Sequence, residues 1–306
     1  MTEPTVYLND RFVPASQAHV NIYDLGIVLG ATLTEMTRTF KHRPFRLEDH
    51  VARLYRSCKF ASIVLPLSPE EMIARTQELI VTNCASLRQN EDLGIVHFVT
   101  PGENRIYAGS AAGSARLTPT VCIHSFPLPF SAWRDMFITG AHVVTPAIRH
   151  VPPQCVDPRM KNRSRLHWWL ADQQVHSVDP KAVTLLLDLD GNITECGGSN
   201  FVVIKGNVIL SPPARHILQG VSLLTVRDLA SSIGMEFRET QMTPYDVITA
   251  DEAWLTTTPY CIAPVVKINN IPIGTGKPGP WFEKMIDAWS GKVGMDIRQQ
   301  ISESER

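Results

Sequence analysis

The stretch from residue 160 to residue 203 constrains the fold of this 306-residue chain more than any other. Residues 182–187 form a short apolar run rich in branched side chains, which predicts a buried β-strand. Asp190-Gly191-Asn192 has turn chemistry, and residues 200–204 predict the returning strand. Glu195 therefore falls in a glycine-bearing kink between two strands, where a backbone can approach a flat ligand closely.

A lysine and a glutamate bracket the apolar run and suggest a particular chemistry. Lys161 opens the stretch in Met160-Lys161-Asn162-Arg163-Ser164, and Glu195 follows near its end. A desolvated lysine can form a Schiff base with a carbonyl compound. Pyridoxal phosphate enzymes use such a lysine together with an acid that keeps the pyridine nitrogen protonated. The pair therefore favours a pyridoxal phosphate site.

The spacing and context of these two residues resemble the class IV, or fold type IV, aminotransferases. The family pattern is a lysine, then a glutamate in a run such as Thr194-Glu195-Cys196-Gly197-Gly198-Ser199-Asn200-Phe201. The family includes branched-chain amino acid aminotransferases, D-amino acid aminotransferases, R-selective amine transaminases and aminodeoxychorismate lyase. The resemblance implies an α+β fold in two domains, with pyridoxal phosphate between them, and a homodimer. It also implies that Lys161 is the catalytic residue and that Glu195 pairs with the cofactor's ring nitrogen.

Three further segments resemble the family's phosphate-binding residues. Arg53 lies in His50-Val51-Ala52-Arg53-Leu54, which resembles a His-x-x-Arg-Leu motif. Its planar guanidinium suits a phosphate, although an arginine on an amphipathic helix is usually solvated. Gly220-Val221-Ser222 precedes a predicted helix, whose free N–H groups and positive dipole end attract phosphate, and an ordinary N-cap is compatible with the same residues. The resemblance implies that Thr257 and Thr258 supply the last phosphate contacts.

The predicted substrate residues lie on a strand over residues 31–40 and in a later turn. Side-chain alternation places Thr34 and Arg38 on one face and Glu35 on the other. Branched-chain members carry an arginine at the position of Arg38, so Thr34 and Arg38 are predicted to bind substrate. A surface ion pair is the alternative for Arg38. The resemblance implies that the backbone N–H of Tyr260 donates to a substrate carboxylate.

Other positions depart from the family patterns and leave the amino donor open. Leu166 stands where many branched-chain members carry a tyrosine that contacts the cofactor ring, and Pro101 stands where D-amino acid enzymes carry an arginine. Pro259 lacks an N–H that would meet the substrate carboxylate. An L-branched-chain amino acid is slightly favoured, with a D-amino acid or an R-amine as alternatives. His167 and Trp168 are predicted to pack in the core, with contact to the site as the alternative.

The domain prediction follows from the prolines near residue 128. Residues 1–127 are predicted to form a smaller N-terminal domain, residues 128–135 a linker, and residues 136–306 a larger cofactor-binding domain. The charged residues at the C-terminus are predicted to fray.

Composition excludes several other classes of function. The net charge is −1 with both signs interspersed, so neither nucleic acid nor a membrane surface is a predicted partner. The first residues lack a signal-peptide pattern, which predicts a cytoplasmic protein. Six cysteines are scattered without a Cys-x-x-Cys pair, so no metal is predicted. The predicted partners are a small-molecule amino donor, a 2-keto acid and a second copy of the chain.

Two other functions compete with the transaminase. An aminodeoxychorismate lyase-like enzyme would use the same cofactor and would turn over without an added keto acid. A binding or scaffold dimer would lack the yellow colour of the bound cofactor, and the presence of both Lys161 and Glu195 argues against it.

Overall fold

The computed structural model describes residues 3–88, 90–107, 109 and 117–303. The chain divides into two compact units. The first unit contains the residues up to Leu128 together with Met160–Ser164, and the second contains Pro129–Arg159 and the residues from Arg165 onward. The first boundary lies next to the predicted domain end at residue 127. The sequence did not predict that the Lys161 segment groups with the first unit.

The first unit is a six-stranded antiparallel sheet packed against two helices. Its elements are β1 (Thr5–Leu8), β2 (Arg11–Pro14), α1 (Leu25–Val28), β3 (Leu33–Phe40), β4 (Arg43–Pro44), α2 (Leu47–Phe60), α3 (Pro69–Cys84), β5 (Leu93–Thr100) and β6 (Thr120–Pro127). The strand order is β2-β1-β6-β5-β3-β4. Leu54 of α2 and Leu79 of α3 are fully buried in the same cluster as Ile95 of β5, so both helices close one core.

Local sequence signals set the helix starts in this unit. Ser68 Oγ accepts a hydrogen bond from Glu71 N at 3.2 Å, and the Glu71 carboxylate accepts from Ser68 N at 2.7 Å. This reciprocal capping box, with Pro69 in the first turn, fixes the start of α3.

His97 is a buried histidine in the core between β5 and α3. Its Nε2 donates to Thr76 Oγ1 at 2.8 Å because that hydroxyl already donates to the Met72 carbonyl. Its Nδ1 has no hydrogen-bond partner within the described residues. Burial is the main cause that lowers the pKa of His97 to about 4, so the ring is neutral at pH 7.

The first unit is therefore expected to lose stability on acidification. Unfolded histidine titrates near pH 6.5, so the contribution of His97 is complete above that value and is lost as pH falls towards 4. A decrease from about 6.5 to about 4 corresponds to roughly 3 kcal/mol. His97→Gln should flatten the pH dependence of the melting temperature across this window, whereas His19→Gln, at an exposed position, should follow the wild type. If the melting temperature depended on pH in the same way in all three proteins, His97 would not be the buried neutral group that causes the loss of stability.

The second unit is built on a nine-stranded mixed sheet. Its elements are α4 (Phe130–Thr139), β7 (Ala141–Val144), α5 (Leu166–His176), β8 (Val183–Leu187), β9 (Ile193–Cys196), β10 (Asn200–Lys205), β11 (Val208–Ser211), α6 (Val221–Ala230), β12 (Glu236–Glu239), α7 (Pro244–Ile248), β13 (Glu252–Thr257), β14 (Cys261–Ile268), β15 (Ile271–Pro272), α8 (Pro280–Val293) and α9 (Ile297–Ser302). The strand order is β12-β11-β10-β13-β14-β7-β8-β9, with β15 on β14. A further pairing of β9 with β10 closes six of these strands into a ring.

A buried carboxylate fixes the start of α8 in this unit. The Glu252 carboxylate accepts hydrogen bonds from Trp281 N at 2.8 Å, Phe282 N at 2.9 Å and Trp254 Nε1 at 3.1 Å. A Cβ on Gly279 would lie 2.2 Å from Glu252 Cδ, so a larger residue there would displace the carboxylate from these hydrogen bonds. The carboxylate thus satisfies N–H groups that the first turn of a helix leaves unpaired.

The structure differs from the sequence predictions at three places. Glu195, predicted in a kink between two strands, lies within β9, and β9 rather than residues 200–204 is the strand that returns beside β8. The predicted linker over residues 128–135 is helical from Phe130, because Phe130 and Phe137 of α4 are both buried. The predicted frayed tail instead forms α9 as far as Ser302, with Asp296 capping Gln299 N and with Ile297 and Ile301 fully buried. Apolar side chains four residues apart lie on one face of this short helix. Burial of that face stabilises the helix despite the charged residues around it. Among the helices in the described ranges, none is long and apolar enough to cross a bilayer.

Candidate active site

The backbone around Lys161 is hydrogen-bonded beside the start of β3. Lys161 O accepts from Thr34 N at 3.0 Å, and Lys161 N donates to Ser57 Oγ of α2 at 3.3 Å. Asn162 forms an antiparallel bridge with Leu33. The lysine is therefore carried on an ordered backbone, although its segment has no helix or strand of its own.

A buried cluster of three side chains lies in the same unit. Arg53 donates from Nε to Glu35 Oε1 at 2.6 Å and from Nη2 to Glu35 Oε2 at 2.8 Å, and His50 Nδ1 contacts Oε2 at 2.7 Å. Burial alone would raise the pKa of Glu35, but the charge of Arg53 and the hydrogen bonds from both neighbours hold it well below its usual range. Burial lowers the pKa of His50. Arg53 therefore has a fixed orientation, and its predicted phosphate contact stays a prediction.

Arg38 and Thr34 make contacts within the first unit. Arg38 is buried, with Nε donating to Thr39 O at 3.0 Å and Nη2 lying 3.7 Å from Asp92 Oδ2. Its guanidinium carbon lies 3.9 Å from the centre of the Phe40 ring. Thr34 Oγ1 donates to the His97 carbonyl at 2.9 Å. The ion pair of Arg38 is thus buried rather than at the surface, and the substrate-binding roles of Thr34 and Arg38 stay predictions.

Glu195 belongs to a row of polar side chains across three strands of the second unit. Asn200 pairs with Glu195 on one side and with Thr256 on the other, so the three side chains share one face of the sheet. Glu195 Oε2 accepts from Asn200 Nδ2 at 3.1 Å and from Leu218 N at 3.0 Å. These two donors hold the carboxylate in one orientation. The sequence did not predict a role for Asn200, although it lies in the motif that carries Glu195.

The amino end of α6 lies next to this row. Gly220 is the N-cap residue and makes no side-chain cap. The N–H groups of Val221 and Ser222 make no hydrogen bond within the described residues, and both side chains are buried. The hydroxyl of Thr256 is also buried without a partner among those residues. Unpaired donors at a helix N-terminus favour an anion.

The turn between β13 and β14 carries the remaining predicted residues. Thr257 Oγ1 donates to the Gly198 carbonyl at 2.5 Å, and Thr258 is half-buried. Cys261 follows the turn with a φ of 67°, a left-handed conformation that few side chains adopt. The Tyr260 ring lies 5.4 Å from that of Trp133, and burial raises the pKa of Tyr260 above its usual range. The substrate contact predicted for Tyr260 stays a prediction.

The chain matches the family model described as Amino-transferase class IV over residues 32–268. It therefore belongs to the class IV aminotransferases, as the motifs around Lys161 and Glu195 predict. This family match confirms the predicted enzymatic activity and cofactor: the protein is a pyridoxal phosphate-dependent transaminase. The solved structures with the same architecture confirm the predicted α+β fold of type IV.

Three known proteins illustrate the similarity. A Methanocaldococcus jannaschii protein provisionally named a branched-chain-amino-acid aminotransferase is 32% identical over 300 residues, covering 94% of this chain and 98% of that protein. D-alanine aminotransferase from Bacillus licheniformis is 29% identical over 289 residues, covering 94% and 96%. The branched-chain amino acid aminotransferase from Thermobaculum terrenum, solved in its PLP form, has the same fold, with a TM-score of 0.83, 23% identity and coverage of 97% and 96%.

The residues of the second unit fit this cofactor. The oriented carboxylate of Glu195 suits a protonated ring nitrogen, and the unpaired N–H groups at the start of α6 suit a phosphate. When bound, pyridoxal phosphate supplies an aldehyde that takes up the amino group and a ring that takes up electrons from the donor's α carbon. The protein must then hold the ring, neutralise the phosphate and move protons.

Gly220 is expected to be needed for cofactor binding because its Cα lies against Asn200. A Cβ there would lie 2.1 Å from Asn200 Oδ1, and the displaced amide would lose its hydrogen bonds to Glu195 and to Leu218 O. Losing about two hydrogen bonds should weaken pyridoxal phosphate binding roughly 10- to 100-fold in Gly220→Ala. Fluorescence titration of the apoprotein would measure this. Gly198→Ala is the matched control, since its Cβ would meet nothing within 4 Å; equal affinities in the two variants would contradict the expectation.

Proposed function

We propose that this transaminase takes its amino group from an amino acid, with L-branched-chain donors favoured, and passes it to a 2-keto acid. The name and 32% identity of the Methanocaldococcus jannaschii relative support this donor class. The D-alanine aminotransferase relative keeps D-amino acids as the second candidate. Pro101, which replaces the arginine of the D-amino acid enzymes, favours the first class.

We further propose individual roles for the candidate residues. Lys161 would hold the cofactor covalently, and its amine would move the proton of the donor's α carbon. Glu195 keeps the ring nitrogen protonated. The phosphate is bound by arginine, by the start of α6 and by the β13–β14 turn, through Arg53, Gly220, Val221, Ser222, Thr257 and Thr258. Thr34, Arg38 and Tyr260 are the candidates for contacting the substrate.

The observation that carries this proposal is the position of Asn200. Its Nδ2 donates both to Glu195 Oε2 and to Leu218 O, at 3.1 and 2.8 Å. The side-chain amide of Asn200 therefore connects two parts of the proposed site by hydrogen bonds. One is Glu195, the proposed partner of the ring nitrogen, and the other is the segment that precedes α6, whose first residues are proposed to bind the phosphate. A cofactor with a ring nitrogen at one end and a phosphate at the other matches this pair of features.

A visible spectrum of the purified holoenzyme tests the donor. The absorption band of the bound cofactor should be bleached by L-leucine, L-isoleucine or L-valine and should return on addition of a 2-keto acid. Bleaching by D-alanine or D-glutamate alone would replace the L-branched-chain proposal with the D-amino acid one, and bleaching by one enantiomer of an aryl amine alone would indicate an amine donor. Continued turnover of an amino acid without any keto acid would contradict transamination.

We also propose that the protein is a homodimer, as the family resemblance implies. Light scattering should then give twice the chain mass of 34.1 kDa. A mass equal to one chain at micromolar concentration would contradict it. The cytoplasmic location stays a prediction from the sequence.

A further inference from the structure

The second oxygen of the Glu195 carboxylate faces a histidine. Oε1 lies 3.5 Å from Nε2 of His150, and the two side chains are only 13% and 9% exposed. Oε2 has both of its lone-pair positions occupied by Asn200 and Leu218. Oε1 is therefore the oxygen with an acceptor position left for a ligand, and His150 is its neighbour in the protein.

The hydrogen bonds of His150 determine which ring nitrogen carries the proton. Nδ1 lies 3.0 Å from the Val151 carbonyl, which can only accept, so Nδ1 is the donor. In a neutral ring Nε2 would then point a lone pair at the Glu195 carboxylate, which is repulsive. The contact is attractive only when Nε2 also carries a proton and the ring is positively charged.

The surroundings of His150 hold its ring in place. The ring packs edge-on against Trp168 at 5.8 Å and against His167 at 6.1 Å, and its backbone N donates to Leu187 O at 2.8 Å. Burial, followed by the charges of His150 and Arg165, lowers the pKa of His167 to about 4, so His167 is neutral at pH 7.

Two other charged side chains, those of Arg165 at the N-cap of α5 and of Asp172 within α5, have partners of their own. Arg165 donates to the Gly197 carbonyl and lies 5.4 Å from the Trp168 ring, and Asp172 hydrogen-bonds the Thr184 hydroxyl. Glu195 is thus the carboxylate that His150 contacts in the described part of the chain.

We propose that His150 is a positioning residue that holds Glu195 Oε1 and balances part of its charge. It thereby sets how strongly Glu195 retains the proton on the ring nitrogen of bound pyridoxal phosphate. The inference rests on the proposed role of Glu195. The remaining acceptor position of Oε1 receives the ring N–H, and the imidazolium on the other side weakens the pull of the carboxylate on that proton. When Glu195 contacts both the His150 imidazolium and the protonated ring nitrogen, the ring nitrogen should lose its proton at a lower pH than when Glu195 contacts the ring nitrogen only.

The test uses holoenzyme loaded with pyridoxal phosphate that carries ¹⁵N in the ring, followed by NMR from pH 6 to pH 10. In His150→Gln the midpoint for loss of the ring proton should rise by about one pH unit, a tenfold change in proton affinity. His150→Arg, which keeps a cation, should titrate close to the wild type. His167→Gln disturbs the same aromatic cluster without touching Glu195, so it should leave the midpoint unchanged.

Each outcome has a distinct meaning. A wild-type midpoint in His150→Gln, or an equal shift in His167→Gln, would overturn the proposal, because packing alone would then account for the contact. The same protonated signal in every protein at every pH would overturn it too. Glu195→Gln is measured alongside: if that variant keeps the wild-type signal, the assigned role of Glu195 fails, which is a different result from failure at His150.

Discussion

Replacing Lys161 with alanine is expected to lower the rate of transamination by about 10⁴-fold or more. The proposed lysine both attaches the cofactor and moves the proton of the donor's α carbon, and alanine can do neither. The cofactor should still bind through its phosphate and ring, but reduction with borohydride should no longer attach it to the chain. Mass spectrometry of the reduced protein and a steady-state assay with L-leucine and a 2-keto acid would measure both effects.

The backbone at this position makes the variant interpretable. The contacts of residue 161 with Thr34 and Ser57 use main-chain atoms, so alanine can keep them. The melting temperature of the apoprotein should therefore be close to that of the wild type. Lys59→Ala, at an exposed position in the last turn of α2, is the matched control and should retain full activity. If Lys161→Ala kept more than a tenth of the activity, or if the cofactor remained attached after reduction, another residue would be the catalytic lysine.

Several helices and strands follow from local patterns in the sequence. The apolar residues 93–100 form β5, and the capping residues Ser68 and Thr243 begin α3 and α7. These signals act within a few residues, so the sequence displays them directly. The sequence did not predict α4, which begins within residues 128–135, or α9 in the charged tail, for the opposite reason. α4 and α9 contact each other, and that contact lies outside any local window.

In the candidate site, too, some residues could be predicted from sequence motifs and others could not. Lys161, Glu195 and Arg53 lie in motifs that the family resemblance identifies, and the family match confirms the class of enzyme. Their neighbours could not be found from motifs. The contact of Arg38 with Asp92 and the contact of Glu195 with His150 each join residues that are far apart in the sequence. These contacts therefore form only when the chain folds. Side-chain alternation along β3 places Glu35 and Arg38 on different faces of the sheet. No local sequence pattern shows that Arg53 and His50 of α2 contact the face that carries Glu35.

Replacing Glu195 with glutamine is expected to lower kcat by about 10²- to 10³-fold, with little change in KM. Asn200 Nδ2 and Leu218 N both donate to Oε2, so the glutamine must keep its carbonyl oxygen at that position. Its NH₂ group then replaces Oε1. A ring nitrogen that met an acceptor in the wild type would meet a donor, and the ring would stay unprotonated. An unprotonated ring takes up electrons poorly, so the proton transfer at the α carbon would slow.

Charge and shape can be separated at this position. Glu195→Asp keeps the negative charge with a shorter side chain, so it should retain more activity than glutamine if charge is what matters. Glu239→Gln serves as the control, because Glu239 is an exposed carboxylate of the second unit that accepts one backbone N–H, from Ala214 at 2.9 Å. Stopped-flow measurement of the first half-reaction with L-leucine isolates the affected step. Activity of Glu195→Gln within threefold of the wild type would mean that the ring nitrogen does not depend on Glu195, and the inference about His150 would then lose its basis as well.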